Sequence, residues 1–364
     1  MHSSMSVMPL YESSILPYDD RPQKSHTVNN MISEPFVEKY GDFLKDVIQV
    51  ITSEKSASTI IHIEDILNKY GFNENTSHVK DDNILSIINS LQKIQFQIPG
   101  SKNALSEQKE IVNGISEKIN IIRNEVRNQT LYRKTASEQL AAATAMLENE
   151  LLTDGELTTS TSYAEMWLRL AIFIGEVKKD YVDFYADLMQ KYTEMYESFN
   201  ENVQKASSDA VSAGDDGNNV SFDTARMLEG YKAFQKDVDR LNGELGSVDG
   251  WNTMTEDEKR RMIITLEPAY KVDSAGKISF NMDQYNSVSE TYPSGIKNGK
   301  VSTASYQAWL ATFNAAGNAF QSNMQSFAQR YSQANNNFDT LNKILSSAIS
   351  TLADSARDVL KSLG

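Results

Sequence analysis

Histidine is the side chain best suited to metal binding and to proton transfer near neutral pH, and the chain has four of them. His2 and His26 lie in an N-terminal segment rich in serine and proline, while His62 and His78 lie in the region that follows. None of them has a second histidine at metal-ligand spacing, and the sequence contains no HExxH motif. His62 stands in an isoleucine-rich run, which is typical of a partly buried core residue. The histidines therefore predict neither a metal site nor a catalytic site.

Other patterns that would support catalysis are equally weak. Two SxxK sequences, at 106–109 and 294–297, lack the companion motifs of a serine–lysine enzyme, so we interpret both as chance matches. The loop at 215–219 offers oxygen ligands but lacks the spacing and closing glutamate of an EF-hand, which favours a solvated loop over a calcium site. The chain has no cysteine, which excludes disulfides and thiolate catalysis. The sequence thus predicts no enzyme, no cofactor and no metal.

Composition narrows the class of protein further. The 364 residues carry a formal net charge of -14 with no basic face, so no nucleic-acid partner is predicted. No apolar run approaches the length of about 18 residues that a transmembrane helix needs. The N-terminus has neither a charged n-region nor a long apolar h-region, so a conventional secretory signal is not predicted.

The strongest pattern in the chain is a heptad repeat of apolar residues over 306–359. It lasts about seven heptads without a proline, and it therefore predicts one continuous helix that is roughly 80 Å long. An apolar stripe of this length needs a helical partner, because it is not stable when exposed to water. The residues of this seam include Phe313, Phe320, Phe327, Tyr331, Phe338, Leu341 and Leu345.

A second apolar seam over 163–206 supplies the predicted partner. Two consecutive steps of four residues, from Phe184 through Leu188 to Tyr192, form a stutter that predicts local unwinding of the supercoil. Because about one hundred residues separate the two seams, we expect them to pair antiparallel. The second seam includes Tyr163, Trp167, Leu170, Tyr181, Phe184 and Leu188.

These patterns predict a mainly α fold: a long antiparallel intramolecular coiled coil, an N-terminal helical hairpin or bundle, and a small mixed α/β distal domain. Within the distal domain we predict helices at 222–245 and 255–266, with Thr255 as the N-cap of the second, and a β-hairpin at 270–280. The predicted division is a disordered segment at 1–33, the hairpin at 34–152, coiled-coil arms at 162–209 and 302–364, and the distal domain at 210–301.

The outer faces of the C-terminal helix are unusual for an exposed coiled coil. No glutamate occurs from 301 to 364, and four basic and three acidic residues give this stretch a net charge of +1. The outer positions carry asparagine, glutamine, serine, threonine and alanine, whereas an exposed coiled coil usually carries glutamate and lysine there. A face with little charge to desolvate favours close packing against another protein. We therefore predict a function in assembly.

Three motifs in the C-terminal helix carry a resemblance to a known family. Residues 306–309 read YQAW, residues 329–335 read QRYSQAN, and residues 338–347 read FDTLNKILSS. Agreement extends to Trp167 and to the sequence YTEMY at 192–196. On these residues the chain resembles the invasion-antigen D family of type III secretion needle-tip proteins over 150–364, whereas over 1–150 the similarity rests on architecture.

The resemblance implies a protein that is secreted by a type III system and acts at the bacterial cell surface, at the needle tip. It implies an N-terminal export signal at 1–33, a hairpin that acts as a self-chaperone, and a small ring, expected to be a pentamer, that caps the needle. Such a cap holds back secretion until host contact and then supports translocator insertion. The implied partners are the needle subunit protein, further copies of the chain and the hydrophobic translocator proteins. Some relatives bind bile salts where the hairpin meets the coiled coil, which leaves bile-salt binding open here.

The resemblance also places the needle-facing surface at the end of the long helix. Phe338, Leu341 and Leu345 match family positions but belong to the seam, so their predicted role is structural. The predicted needle or assembly interface consists of Asn335, Asp339, Asn342, Lys343, Ser346, Ser347 and Ser350.

Two other functions remain as alternatives. A secreted effector enzyme would need its site in 210–301, a segment that contains no histidine and no cysteine. A translocator that enters membranes would need an apolar segment that the sequence does not contain. Both are less consistent with the sequence than a tip scaffold.

Overall fold

The computed structural model is mostly helical and describes Asp46 and residues 65–67, 69–70, 82–94, 106–107, 109–128, 182–214 and 218–363. Its helical segments include α1 (Asp82–Gln92), α2 (109–128), α3 (Phe184–Ser198), α4 (Lys205–Asp209), α5 (Thr224–Glu244), α6 (Glu256–Leu266), α7 (Asp283–Asn286) and α8 (Thr303–Leu363). Its strands are β1 (Val211–Ala213), β2 (Asn219–Phe222), β3 (Tyr270–Val272), β4 (Ile278–Phe280) and β5 (Lys300–Ser302) within this part of the chain.

Two long helices form the axis of the fold. Arm 1 is the continuous helical run over 182–209, and arm 2 is α8, a single helix of 61 residues. Tyr185 of arm 1 contacts Phe327 of arm 2, with ring centroids 5.9 Å apart, while Phe199 contacts Phe313 at 6.2 Å. Residue numbers therefore rise along one arm as they fall along the other, which confirms the predicted antiparallel pairing.

Arm 1 departs from α-helical geometry at Phe199–Gln204, where it forms a π-helical segment. The stutter predicted from Phe184 to Tyr192 lies within α3, which is α-helical from Phe184 to Ser198. A π-turn holds an extra residue, so it changes which side chains of the following turn face the partner helix. In this segment Phe199 lies against arm 2, while the neighbouring Asn200 hydrogen-bonds to α2.

An aromatic cluster joins the two arms to the segment between them. Phe199 is fully buried, and its ring centroid lies 5.0 Å from that of Phe320, 5.5 Å from Phe234 and 5.9 Å from Tyr285. Phe234 belongs to α5 and Tyr285 to α7, so the cluster draws side chains from four helices. Such ring contacts in edge-to-face geometry stabilise a core beyond simple area burial. The main core therefore sits where the arms meet α5 and α7.

The segment at 210–301, here called the α/β segment, contains two small sheets. Strands β3 and β4 pair antiparallel with Tyr270 opposite Phe280, which confirms the predicted hairpin. A three-stranded antiparallel sheet, in the order β1–β2–β5, pairs Val211 with Phe222 and Val220 with Val301. The sequence did not predict this sheet, because its strands have only three or four residues and show no clear alternation.

The predicted helices of the α/β segment are also present. α5 covers Thr224–Glu244, and α6 begins after the expected N-cap, Thr255. The Thr255 hydroxyl accepts a hydrogen bond from the Glu258 amide at 3.3 Å, and the Glu258 carboxylate accepts one from the Thr255 amide at 2.7 Å. This reciprocal capping box satisfies donors that the first turn leaves free. α6 ends at Leu266, which is the predicted end of this helix.

The N-terminal helices pack on the arms through isoleucine-rich faces. Ile88 of α1 and Ile115, Ile119 and Ile122 of α2 are fully buried in the same core as the arms. The predicted export segment at 1–33 and the start of the first seam at 163–181 lie outside the described residues.

Candidate assembly surface

The seam residues of arm 2 face the interior. Phe313, Phe320, Phe327 and Tyr331 are at most 2% exposed, and Leu188 of arm 1 is 1% exposed. Phe184 and Phe338 are partly buried and pack against the same core. Leu341 and Leu345 continue along α8, where the structure describes the backbone. The remaining predicted seam residues, Tyr163, Trp167, Leu170 and Tyr181, lie outside the described residues.

The residues of the predicted interface differ in accessibility. Asp339 and Lys343 are exposed on α8, as an interface requires. Asn335 is only 9% exposed, so the expectation that it lies on the outer face is wrong. It stands one residue after Ala334 of the seam, and that side of the helix is covered. Asn342, Ser346, Ser347 and Ser350 lie on the same continuous helix, whose backbone the structure describes.

A second face of α8, opposite the seam, is exposed and free of charge. Ala304, Ala308, Ala311 and Ala315 follow one another at steps of four, three and four and are all exposed. The row continues on the exposed surface with Asn318, Ser322, Gln329 and Gln333. No charged residue occurs between Lys300 and Arg330. Another helix can approach this face closely, because the side chains are small and no charge has to leave water.

Arm 1 is covered by α2 through polar contacts. The Arg123 Nη1 atom lies 2.7 Å from the Glu197 carboxylate, and Lys109 lies 3.3 Å from Asp209. Between them, the Asn200 Nδ2 atom donates to the Ser116 hydroxyl at 2.6 Å and to the Val112 carbonyl at 3.2 Å. Residue numbers in these contacts rise along arm 1 as they fall along α2, so the two helices are antiparallel. Sequence reasoning missed them because a polar residue in a helical repeat gives no sign of its partner.

The Glu197 carboxyl is the most buried charged group in this contact, since its side chain is only 11% exposed. Burial raises its pKa, and the nearby carboxylates of Glu201 and Glu194 raise it further. Arg123 opposes this by stabilising the ionised form. The net pKa is raised above the usual glutamate value, so Arg123 compensates the buried charge only in part.

Replacing Arg123 with alanine is expected to lower the free energy of unfolding by about 1–3 kcal/mol at pH 7, because the buried Glu197 carboxylate loses its charged partner. Without Arg123 the folded pKa of Glu197 rises further. A carboxyl with a raised folded pKa stabilises the fold fully below its unfolded pKa of about 4.3, and this contribution disappears as the pH rises through the folded pKa. The difference between variant and parent should therefore be small near pH 4 and grow towards pH 7.

Denaturant titrations at several pH values measure this effect. Arg127→Ala is the matched control, since Arg127 lies one turn further along α2 and is exposed. If Arg123→Ala costs the same at pH 4 as at pH 7, Glu197 is not the group that Arg123 stabilises.

The described residues hold no arrangement that suggests catalysis. Ser294 and Lys297 lie in an exposed turn around Gly295, whose φ of +78° requires glycine-like freedom. No group of three or more histidine, aspartate or glutamate side chains converges as a metal site in this part of the chain. The four histidines and residues 215–217 lie outside it. No helix in the described ranges combines the length and apolarity needed to cross a membrane.

Several known proteins are similar to this chain. It is 29% identical to the invasin IpaD of Shigella flexneri over 237 residues, which are 63% of this chain and 68% of that protein. It is 26% identical to the cell invasion protein SipD of Salmonella typhi, over 56% of this chain and 63% of the relative. It is 31% identical to the translocator protein BipD of Burkholderia mallei, over 52% and 56%. The matches to SipD and BipD thus span less than two thirds of those relatives.

The fold is also similar to a solved structure. The near-atomic resolution structure of BipD from Burkholderia pseudomallei matches 80% of this chain and 98% of that one, with a TM-score of 0.52 and 21% identity. At this identity the match establishes the fold alone. A family model for type III secretion systems tip complex components matches residues 37–360, which is most of the chain. The chain therefore belongs to the family of type III secretion systems tip complex components.

Proposed function

We propose that this chain is a structural protein that caps a type III secretion needle, controls secretion and supports translocator insertion at host contact. Family membership supports a tip role, and the observation that carries the mechanism is the long, charge-free exposed face of α8. A scaffold that packs against other helices needs such a face, because desolvating small uncharged side chains costs little.

The needle subunit is the proposed partner of the C-terminal part of α8. The proposed contact residues are Asp339, Asn342, Lys343, Ser346, Ser347 and Ser350, and Asn335 is left out because it is buried. The alanine row from Ala304 to Ala315 is the proposed contact between neighbouring copies in a ring, for which a pentamer is the expected size. The hydrophobic translocators are the proposed partners of the assembled tip, and bile salts remain a proposed ligand.

The proposal divides the chain by role. The segment at 1–33 is the export signal, the hairpin at 34–152 is a self-chaperone that covers arm 1, and 210–301 is the distal domain at the end of the arms. The protein would be secreted by the type III system and held at the needle tip. No catalytic step is proposed, because the tip family favours a structural role and the alternative of an effector enzyme in 210–301 has no support from the relatives.

A shortened chain that ends at Asn337 is expected to lose needle capping, because it lacks the proposed needle-facing part of α8. The measurement is binding of purified protein to needle filaments by co-sedimentation, together with secretion before host contact in a strain that carries the shortened chain. Lys343→Glu should weaken binding without unfolding the protein, since Lys343 is exposed.

Lys205→Glu is the matched control, because it makes the same charge change at an exposed position of arm 1. Full capping by the chain that ends at Asn337 would contradict the placement of the needle surface. If the full chain neither binds filaments nor restrains secretion, the proposed function itself is wrong.

A further inference from the structure

A surface pocket lies between α5 and the turn at residues 289–290. Its volume is about 330 Å³, at the lower end of the range of about 300–1,000 Å³ in which proteins bind small molecules. Tyr231 lies at its base and is 2% exposed. The Tyr231 hydroxyl donates to the Thr291 carbonyl at 3.1 Å, which ties the base of the pocket to its rim. The pocket therefore suits one small ligand.

The walls of the pocket carry unpaired charges of both signs. Lys232 and Lys236 lie one turn apart on α5, and within the part of the chain that the structure describes neither forms an ion pair. Glu290 faces them from the turn and likewise has no ion-pair partner among the described residues. Asp239 accepts a hydrogen bond from the Gln235 Nε2 atom at 2.8 Å, so one of its oxygens is already engaged. Two cations, the Glu290 carboxylate and the second oxygen of Asp239 thus remain available to a ligand.

The turn that presents Glu290 is held in an unfavourable backbone conformation. Glu290 has a φ of +59°, a left-handed value that side chains with a Cβ rarely adopt. Its neighbours fix it: the Ser289 amide donates to the Tyr285 carbonyl at 2.8 Å, and the Thr291 amide donates to the Val288 carbonyl at 3.1 Å. Strain of this kind persists only where surrounding contacts enforce it, and it is concentrated at functional sites.

The rim is also anchored to the long helix. The Trp309 indole of α8 donates to the Thr291 hydroxyl at 3.2 Å, and that hydroxyl donates to the Val288 carbonyl at 2.7 Å. The backbone of the rim is therefore held in place without a ligand, which reduces the entropic cost of binding.

We propose that this pocket binds an acidic sugar. The two lysines, whose side chains are exposed, would hold the sugar carboxylate through charge-assisted hydrogen bonds. Glu290 and the free oxygen of Asp239 would accept hydrogen bonds from sugar hydroxyls, and the Ser289 hydroxyl would donate one. A ligand with an anionic end and several hydroxyl donors satisfies every free group in the pocket, whereas a simple anion would leave Glu290 facing a negative charge.

This binding does not depend on the proposed tip function, because it uses neither the needle-facing residues nor the alanine row of α8. A tip protein without sugar binding and a sugar-binding protein without needle binding are distinguishable results. The two assays share only the folded chain.

The test titrates the full chain with sodium D-glucuronate as the probe and with D-glucose as the neutral analogue. Binding is measured by NMR and by calorimetry. Glucuronate should bind and glucose should bind at least about tenfold more weakly, because a charge-assisted contact is worth about that factor. The double variant Lys232→Gln, Lys236→Gln should lose glucuronate binding by a similar factor. Lys297→Gln, an exposed lysine in the same segment and outside the pocket, should bind like the parent.

A second variant separates binding from folding. Glu290→Gly removes the carboxylate and also relieves the left-handed backbone, so the protein should be as stable as the parent or more stable while it binds glucuronate more weakly. The proposal is overturned if glucuronate does not bind, if glucose binds equally well, or if both the lysine variant and Glu290→Gly retain the affinity of the parent.

Discussion

A Phe199→Ala variant is expected to lose about 3–5 kcal/mol of unfolding free energy, the largest loss from any single truncation proposed for this chain. The Phe199 side chain is fully buried and contacts rings from arm 2, α5 and α7. Its removal leaves a cavity that these rigid rings cannot fill, because their positions are fixed by one another. Urea denaturation followed by circular dichroism measures the loss.

Ile264→Ala provides the comparison for this experiment. Ile264 is 54% exposed on α6, so its truncation should change stability by no more than about 0.5 kcal/mol. A loss below about 2 kcal/mol for Phe199→Ala would show that the aromatic cluster repacks and does not bind the arms to the α/β segment. The π-helical segment that begins at Phe199 would then have to be flexible enough to let the neighbouring rings move inward.

Gly230→Ala is expected to destabilise the fold by about 3 kcal/mol, near the upper end of the usual range for overpacking. A Cβ atom at Gly230 would lie 2.5 Å from the Ala206 Cβ atom and 2.5 Å from the Asn202 carbonyl oxygen. Both atoms belong to or adjoin the backbone of arm 1, so neither can swing away. The substitution therefore forces α5 and arm 1 apart, and thermal or chemical unfolding measures the cost.

Gly243→Ala is the matched control on the same helix. Nothing lies within 4 Å of a Cβ atom at Gly243, so alanine meets no obstacle there. Because alanine restricts the unfolded chain more than glycine does, this substitution should stabilise the protein by about 0.4–1 kcal/mol. Equal effects at the two glycines would contradict the close approach of α5 to arm 1.

The long-range periodic features of this fold could be predicted from the sequence. The seam that contains Phe313, Phe320 and Phe327 repeats often enough to specify a helix and to require a partner. The hairpin at 270–280 and the Thr255 cap have strong local signals, since turn residues and capping residues act within a few positions of one another. Each of these features depends on residues whose types and spacing can be recognised directly in the sequence.

The features that escaped prediction depend on contacts between distant residues. β2 pairs with β5 across about eighty residues, and its four residues give no alternation long enough to recognise. Asn335 is buried although its residue type and heptad position indicate an exposed face. The pairing of Asn200 with Ser116 links two helices that the sequence could only describe one at a time.

The same limit applies to the candidate sites. The pocket beside Glu290 depends on a backbone angle that no residue pattern reveals, because glutamate rarely marks a left-handed turn. The alanine row of α8 could have been found from the sequence by noting which residues lie opposite the seam at heptad spacing. The absence of charge between Lys300 and Arg330 was the available signal for it.

The three-stranded sheet holds the two arms together at one end. β1 follows arm 1 after one residue and β5 leads directly into arm 2, and both strands are hydrogen-bonded to β2. The Thr303 amide also donates to the Asn218 carbonyl at 2.9 Å. Separating the arms at this end therefore requires breaking the backbone hydrogen bonds of the sheet. Mechanical separation of the arms is therefore expected to meet strong resistance at the sheet.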